Sequence, residues 1–309
     1  MPSTEAVRRG CLGMAVAALF LLTPLARSEK KFGPEYAGAD TCQGCHEDIY
    51  DNFEQSPHKL LQDSARQGWK GYGCEACHGA GAKHMQSVSP ADIRNPARLT
   101  AVQTDKICLS CHLNQPTHAG RIQSSHMKDS ISCVTCHKIH ANGPLGLVAR
   151  TQEQVNQLCS GCHLNVMAQF QKPYRHKVPE NAMTCVDCHN PHGSVRPVMS
   201  QTFAASEPSC FRCHGDKRGP FTFEHAPLRF EGCGACHEAH GSSNPRMLAR
   251  HEVRLVCLEC HANLPGLTSN ASAGVVPPAF HDLRSPRFQN CTICHQKVHG
   301  SYVDRNLLR

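Results

Sequence analysis

The sequence predicts short helices, tight turns and coil with little or no sheet, wrapped around covalently attached groups instead of an apolar core. Three observations carry this expectation. A five-residue motif, Cys-x-x-Cys-His, occurs ten times along the 309 residues. Proline and glycine, with 20 and 23 residues, punctuate every segment. Aromatic residues make up 6% and the mean hydropathy is −0.41, so the polypeptide supplies too little core of its own to offset its ordering entropy.

The motif defines the attached group. Its cysteine pairs are Cys42 and Cys45, Cys74 and Cys77, Cys108 and Cys111, Cys133 and Cys136, Cys159 and Cys162, Cys185 and Cys188, Cys210 and Cys213, Cys233 and Cys236, Cys257 and Cys260, and Cys291 and Cys294. The histidines that follow are His46, His78, His112, His137, His163, His189, His214, His237, His261 and His295. This is the attachment signature of c-type haem. Two thiols bond to the haem edge, and the next residue sets an imidazole beneath the iron. Zinc ribbons pair cysteines at the same gap but need no histidine directly after the second. Disulfide scaffolds demand neither feature. Motifs that consume all but one of the 21 cysteines predict ten covalently attached haems c, arranged as an elongated wire: a multihaem cytochrome c.

The first 28 residues read as a secretory signal. Arg8 and Arg9 form a basic start. The apolar run from Cys11 to Leu22 is too short to span a bilayer, and Ala26-Arg27-Ser28 offers small residues at the cleavage positions. Cys11, the unpaired cysteine, precedes the apolar run and would leave with it. Residues 29–309 then form one domain in the oxidising periplasm. The formal charge of +7 does not point to nucleic acid. Loss of the leader lowers it to about +5, and propionates and ferric centres on ten haems carry the oxidised holo-protein to about −5. No Lys/Arg-rich run of the nucleic-acid-binding kind is present.

The motif histidines recur every 23 to 34 residues, which indicates a repeat. The repeat is a pair of motifs, because the even motifs are bracketed by further histidines. His58 and His84 flank the second motif, and His126 and His140 the fourth. His176 and His192 flank the sixth, His225 and His240 the eighth, and His281 and His299 the tenth. Five units follow, at about 36–100, 101–150, 151–200, 201–250 and 251–309. Ten bracketing histidines match ten irons, one second axial ligand each. His140, His192 and His240 lie three residues after a motif histidine, on the same helical face, and cannot reach around to the far side of the same iron. Spacing therefore assigns the downstream histidines, His84 and His299 included, to the odd site of each pair. It assigns the upstream histidines to the even sites. His118 and His251 remain, as exposed or propionate-bonding residues. With every iron closed by two histidines, an enzyme with an open haem site is disfavoured. Within the coil, TQEQVNQLCSGCHLNVMAQF reads as a helix interrupted by a haem site, and IYDNFEQSPH as a short helix.

GADTCQGCH, FEQSPH, CEACHGAGAKH, the CHxxH units and the closing FHDLRSPRFQNCTICHQKVHGSYVDRNLLR together resemble the MtrA/DmsE-type periplasmic decahaem c-type cytochromes. The resemblance spans residues 36–309. It implies bis-histidine haems in a slender chain that sits partly inside a β-barrel porin of the outer membrane. It also implies periplasmic donor or acceptor cytochromes, and an extracellular multihaem cytochrome or reductase beyond the porin. The expected function is electron transfer across the outer membrane. The alternative is a periplasmic electron shuttle or store without a porin, and a nitrite- or hydroxylamine-type enzyme is a more distant one.

Overall fold

The computed structural model describes residues 32–115, 118, 120–140, 151–193, 208–261, 281 and 285–309. The expected signal peptide lies outside them. Among the described residues the chain is helix, turn and coil. The longest helix, Ala101–His112, has 12 residues. Strand pairing among the described residues is limited to isolated bridges, Tyr174 with Ser242, Phe223 with Ser301 and His237 with Leu248.

Local sequence explains where the longer helices begin. Thr100 and Thr151 each open a helix with a capping box. The threonine hydroxyl accepts from the backbone of Gln103 or Gln154, whose side chain accepts from the threonine backbone in return. Both helices run into an odd motif. Gln152–Ser160 carries Cys159, breaks at the motif, and resumes as Leu164–Gln169. Of IYDNFEQSPH, Ile49 to Glu54 belong to the helix Glu47–Glu54, and Gln55 to His58 lie beyond its end. Even motifs sit on single turns, such as Glu75–His78, Cys133–Cys136 and Cys291–Cys294.

Every motif uses one helical turn. The motif histidine donates its backbone N–H to the carbonyl of the first cysteine, at 3.0 Å from His46 to Cys42 and 2.8 Å from His261 to Cys257. That turn places residues one, four and five of the motif on a common face, which is what two thiols and an imidazole gripping one planar group require.

The polypeptide core is thin. Among the described residues the buried hydrophobic side chains are Ala39, Phe53, Ala101, Phe170 and Val178. Phe32, Tyr36, Trp69 and Tyr72 add an aromatic cluster near the described N-terminus, with Phe32 stacked on Tyr72 at 3.8 Å. Buried polar residues do the remaining work of fixing coil. Glu75 is 1% exposed and accepts from the backbones of Ala37, Gly38 and Gly81 at 2.7 to 3.1 Å. Asn156 donates to Val178 O, Asn181 Oδ1 and Met183 O. Asp105 pairs with Arg121 at 2.6 Å, both buried. A buried polar group without partners is costly, so each of these residues specifies the path of the loop around it.

Candidate haem sites

The motif cysteines lie in a sequence-ordered series, and none is in a disulfide among the described residues. Within each pair of motifs the two first thiols are neighbours close enough to perturb each other's titration: Cys42 with Cys74, Cys108 with Cys133, Cys159 with Cys185, Cys210 with Cys233, and Cys257 with Cys291. Between pairs, the second cysteine of an even motif lies within electrostatic reach of the next odd motif. Cys77 is near Cys108 and Cys111, Cys136 near Cys159, Cys188 near Cys210 and Cys213, and Cys236 near Cys260. Motif therefore follows motif in space in the order in which it follows in sequence.

Two residues hold these contacts from below. Asp105 and Asn156, each three residues before an odd motif's first cysteine, accept from the backbone and thiol of the facing even cysteine. Asp105 Oδ1 takes both from Cys133 at 3.0 Å. Asn156 Oδ1 takes them from Cys185 at 3.2 and 3.5 Å.

The histidines form facing pairs. A metal–nitrogen bond is about 2 Å long, so two imidazoles held end-on to opposite sides of one ion set their ring centres roughly 6 Å apart. Ten pairs have centres 5.8 to 6.4 Å apart: His46 with His84, His78 with His140, His112 with His58, His137 with His192, His163 with His126, His189 with His240, His214 with His176, His237 with His299, His261 with His225, and His295 with His281. Each pair joins one motif histidine to one bracketing histidine. His251 is exposed, outside these pairs. His118 is half-buried between the third and fourth sites.

This pairing differs from the assignment by spacing. Of the upstream histidines only His281 faces the even motif it precedes. His58, His126, His176 and His225 reach forward to odd motifs three, five, seven and nine. Of the downstream histidines only His84 faces the odd site of its own pair. His140, His192, His240 and His299 reach back to even motifs two, four, six and eight. Each unit thus lends one histidine to the unit before it and one to the unit after it, and only the ends close on themselves. The same-face argument excludes a histidine's own site, but it cannot tell on which side of a turn the chain finds its partner.

The rings suit a metal between them. Burial lowers the pKa of His78, His140, His225, His261 and His299, and pushes His192 down to about 4. These imidazoles are neutral at pH 7 and carry a lone pair. In several, Nδ1 is engaged by a carbonyl, which leaves Nε2 for the metal. His78 Nδ1 donates to Arg94 O at 2.8 Å, His84 to Ser89 O at 2.9 Å, His237 to Arg246 O at 2.9 Å, and His295 to Asn306 O at 2.7 Å. Among the described residues no cluster of three or more His, Cys, Asp or Glu is arranged to hold a metal. Two axial imidazoles with thiols beside them, and no third protein donor, fit an ion whose other four ligands belong to a macrocycle.

Sequence reasoning missed how the units are latched. His126 Nδ1 donates to Pro191 O at 3.0 Å, His176 to Ala239 O at 2.8 Å, and His225 bonds the carbonyl of Val298. Pro191, Ala239 and Val298 are the residues immediately before His192, His240 and His299. The histidine serving one site is therefore held by the backbone that carries the histidine of the neighbouring site. His-Gly-Ser then follows at 192–194, 240–242 and 299–301, a repeated signal that marks these turns. Gly193, Gly241 and Gly300 have φ of +88, +157 and +140°. A Cβ on Gly241 would strike the carbonyl of Gln169, and one on Gly300 the ring of Phe221. Replacing Gly241→Ala is expected to displace His240 from His189 and create one high-spin ferric haem, readable by EPR. An unchanged low-spin spectrum would show that this close approach does not position the ligand.

The motif series recurs in known proteins. The doubled CXXCH motif matches residues 126–168, 176–219 and 225–266, and the cytochrome c554 and c-prime family matches residues 81–138. The multiheme cytochrome MtrA of Shewanella baltica is 34% identical over 89% of this chain and 81% of its own length. The chain belongs to the MtrA-type multihaem c-type cytochromes. The C-type polyheme cytochromes OmcC and OmcB of Geobacter sulfurreducens are 27% and 23% identical, over 58% and 70% of this chain but only 24% and 27% of their own lengths. Haem c and multihaem electron transfer come with the MtrA-type family. Each doubled-motif span begins at or next to an upstream histidine and ends just beyond the odd motif which that histidine faces. His126 and His163 share one span, His176 and His214 the next, and His225 and His261 the third. The spans are framed one motif later than the five units read from the sequence.

Proposed function

We infer that each of the ten histidine pairs holds one haem c, and that the chain conducts electrons along them across the outer membrane, from within a porin partner. The observation that carries this is the conjunction of ten closed axial pairs with an unbroken, sequence-ordered series of thiols. Bound haem supplies the one-electron iron couple. The protein's part is to fix the spacing and to close both axial positions. Imidazole on both sides favours the ferric state more than methionine ligation does, since a methionine ligand raises the potential. No open iron position is left for substrate, which argues against a catalytic haem.

The five pairs of neighbouring first cysteines support five two-haem units within residues 29–309, and residues 1–28 serve as the periplasmic export signal. The partners are an outer-membrane β-barrel porin, periplasmic donor or acceptor cytochromes, and an extracellular multihaem cytochrome or reductase. Among the described residues no helix is long and apolar enough to cross a membrane. Lipid-exposed irregular backbone is not tolerated in a bilayer, so a coil-rich chain crosses the ~30 Å hydrocarbon core only inside a protein sheath. Proteoliposomes enclosing a redox dye test this. Porin together with this cytochrome is expected to pass electrons from an external reductant to the dye, while either alone does not. Equal rates without the porin would leave a periplasmic shuttle as the better reading.

A further inference from the structure

The third site has one imidazole more than it needs. The ring of His112 faces His58 at 6.0 Å, with the two planes at 78°. It also lies 6.4 Å from the ring of His118, at 39°. Both distances match two imidazoles spanning one metal ion, for which roughly 6 Å is expected. In the described pairs no other motif histidine has a second imidazole at this distance. His118 is also held in place: its ring lies 4.2 Å from that of His192, the partner of His137, with planes 24° apart. It therefore stands between the third and fourth sites, half-buried. His58, for its part, has a buried Nδ1 with no hydrogen-bond partner among the described residues, so it lacks the carbonyl anchor that fixes His126, His176 and His225. A ligand without that support is held less firmly.

We propose that His118 is a second distal ligand for the iron over His112, so that the third site has two closed states, His112/His58 and His112/His118. The proposal rests on the reading of His112 as a haem ligand. Exchange breaks the Fe–N bond to His58 and forms one to His118. The iron keeps its oxidation state, and both histidines stay neutral. The two states differ in the angle between ligand planes, near perpendicular for His58 and more nearly parallel for His118. That angle controls the g-anisotropy of low-spin ferric haem.

Three variants, purified as the mature holo-protein, test this by EPR together with haem counting by mass. His58→Ala is expected to retain its full haem complement, all low-spin, with one signal moved towards the g-values of more parallel ligand planes. His58→Ala combined with His118→Ala is expected to show one high-spin haem, returned to low-spin by added imidazole. His299→Ala is the reference for a site with no second histidine, and is expected to be high-spin at one haem. A high-spin haem in His58→Ala alone, or the loss of one haem from it, overturns the proposal, because His118 would then not close the site. A wild-type haem count below ten, or no change in His299→Ala, would instead count against the ligand reading itself.

Discussion

A chain denied its haems is expected to lose its helices and its cooperative thermal transition. Burying a Phe, Val or Leu contributes about 1.5–3 kcal/mol, and the buried hydrophobic side chains among the described residues are Ala39, Phe53, Ala101, Phe170 and Val178. Ordering the backbone costs about 1–2 kcal/mol for each residue fixed. Five side chains, two of them alanine, cannot offset that cost across the described chain. Large apolar side chains stand open instead, among them Phe230 at 81%, Ile122 at 78% and Leu164 at 71% exposure. The described helices are short, the longest of them having 12 residues, a length at which isolated helices are marginal in water. Circular dichroism of protein made without haem attachment should show coil and no sigmoidal melt. A cooperative, native-like helical transition would mean that the polypeptide carries its own fold.

Truncation after Gln296 is expected to damage three haem sites at once. The last segment reaches well beyond the tenth motif. His299 faces His237 at 6.3 Å, so the eighth site would lose a ligand and become high-spin. The carbonyl of Val298 anchors His225, which serves the ninth site. Asn306 O accepts from His295 Nδ1 at 2.7 Å and orients the imidazole of the tenth. Outer-shell partners of this kind are commonly worth about 10–100-fold in metal affinity. The truncation also removes the Ser301–Phe223 backbone pairing at 2.8 and 2.9 Å that ties the tail to the fourth unit. EPR should therefore show one high-spin haem and altered g-values at two more, whereas His299→Ala alone should change only one. If truncation and His299→Ala gave the same spectrum, the tail would act through His299 alone.

The fold class was legible because its determinants are local. One helical turn suffices to bring the cysteines and histidine of a motif to one face, so the pattern can be read wherever it occurs. The capped helix starts at Thr100 and Thr151 and the break at His163 are equally local. Asp105 and Asn156 were not legible. They share a position three residues before an odd motif but differ in residue type, and their role appears only when Cys133 and Cys185 are seen against them. The latching carbonyls of Pro191, Ala239 and Val298 leave no side-chain signal at all. The His-Gly-Ser repeat beside them does, and the positive φ seen in the structure explains its glycine.

By itself the sequence determined the cofactor chemistry, the order of the motifs and the presence of a bracketing histidine for every motif histidine. Which histidine faces which was decided only by the tertiary structure. His140 lies three residues from His137 yet faces His78, and His58 passes over the second motif to face His112. Axial ligation joins opposite sides of a plane, so residues adjacent on one helical face cannot complete it, and the partner must come from chain that returns from another unit. Several segments have the length to return, and sequence distance does not discriminate among them. Packing does, through the contacts of Cys108 with Cys133 and of His126 with Pro191, and it sets every unit to depend on its neighbours for histidines that face its motifs.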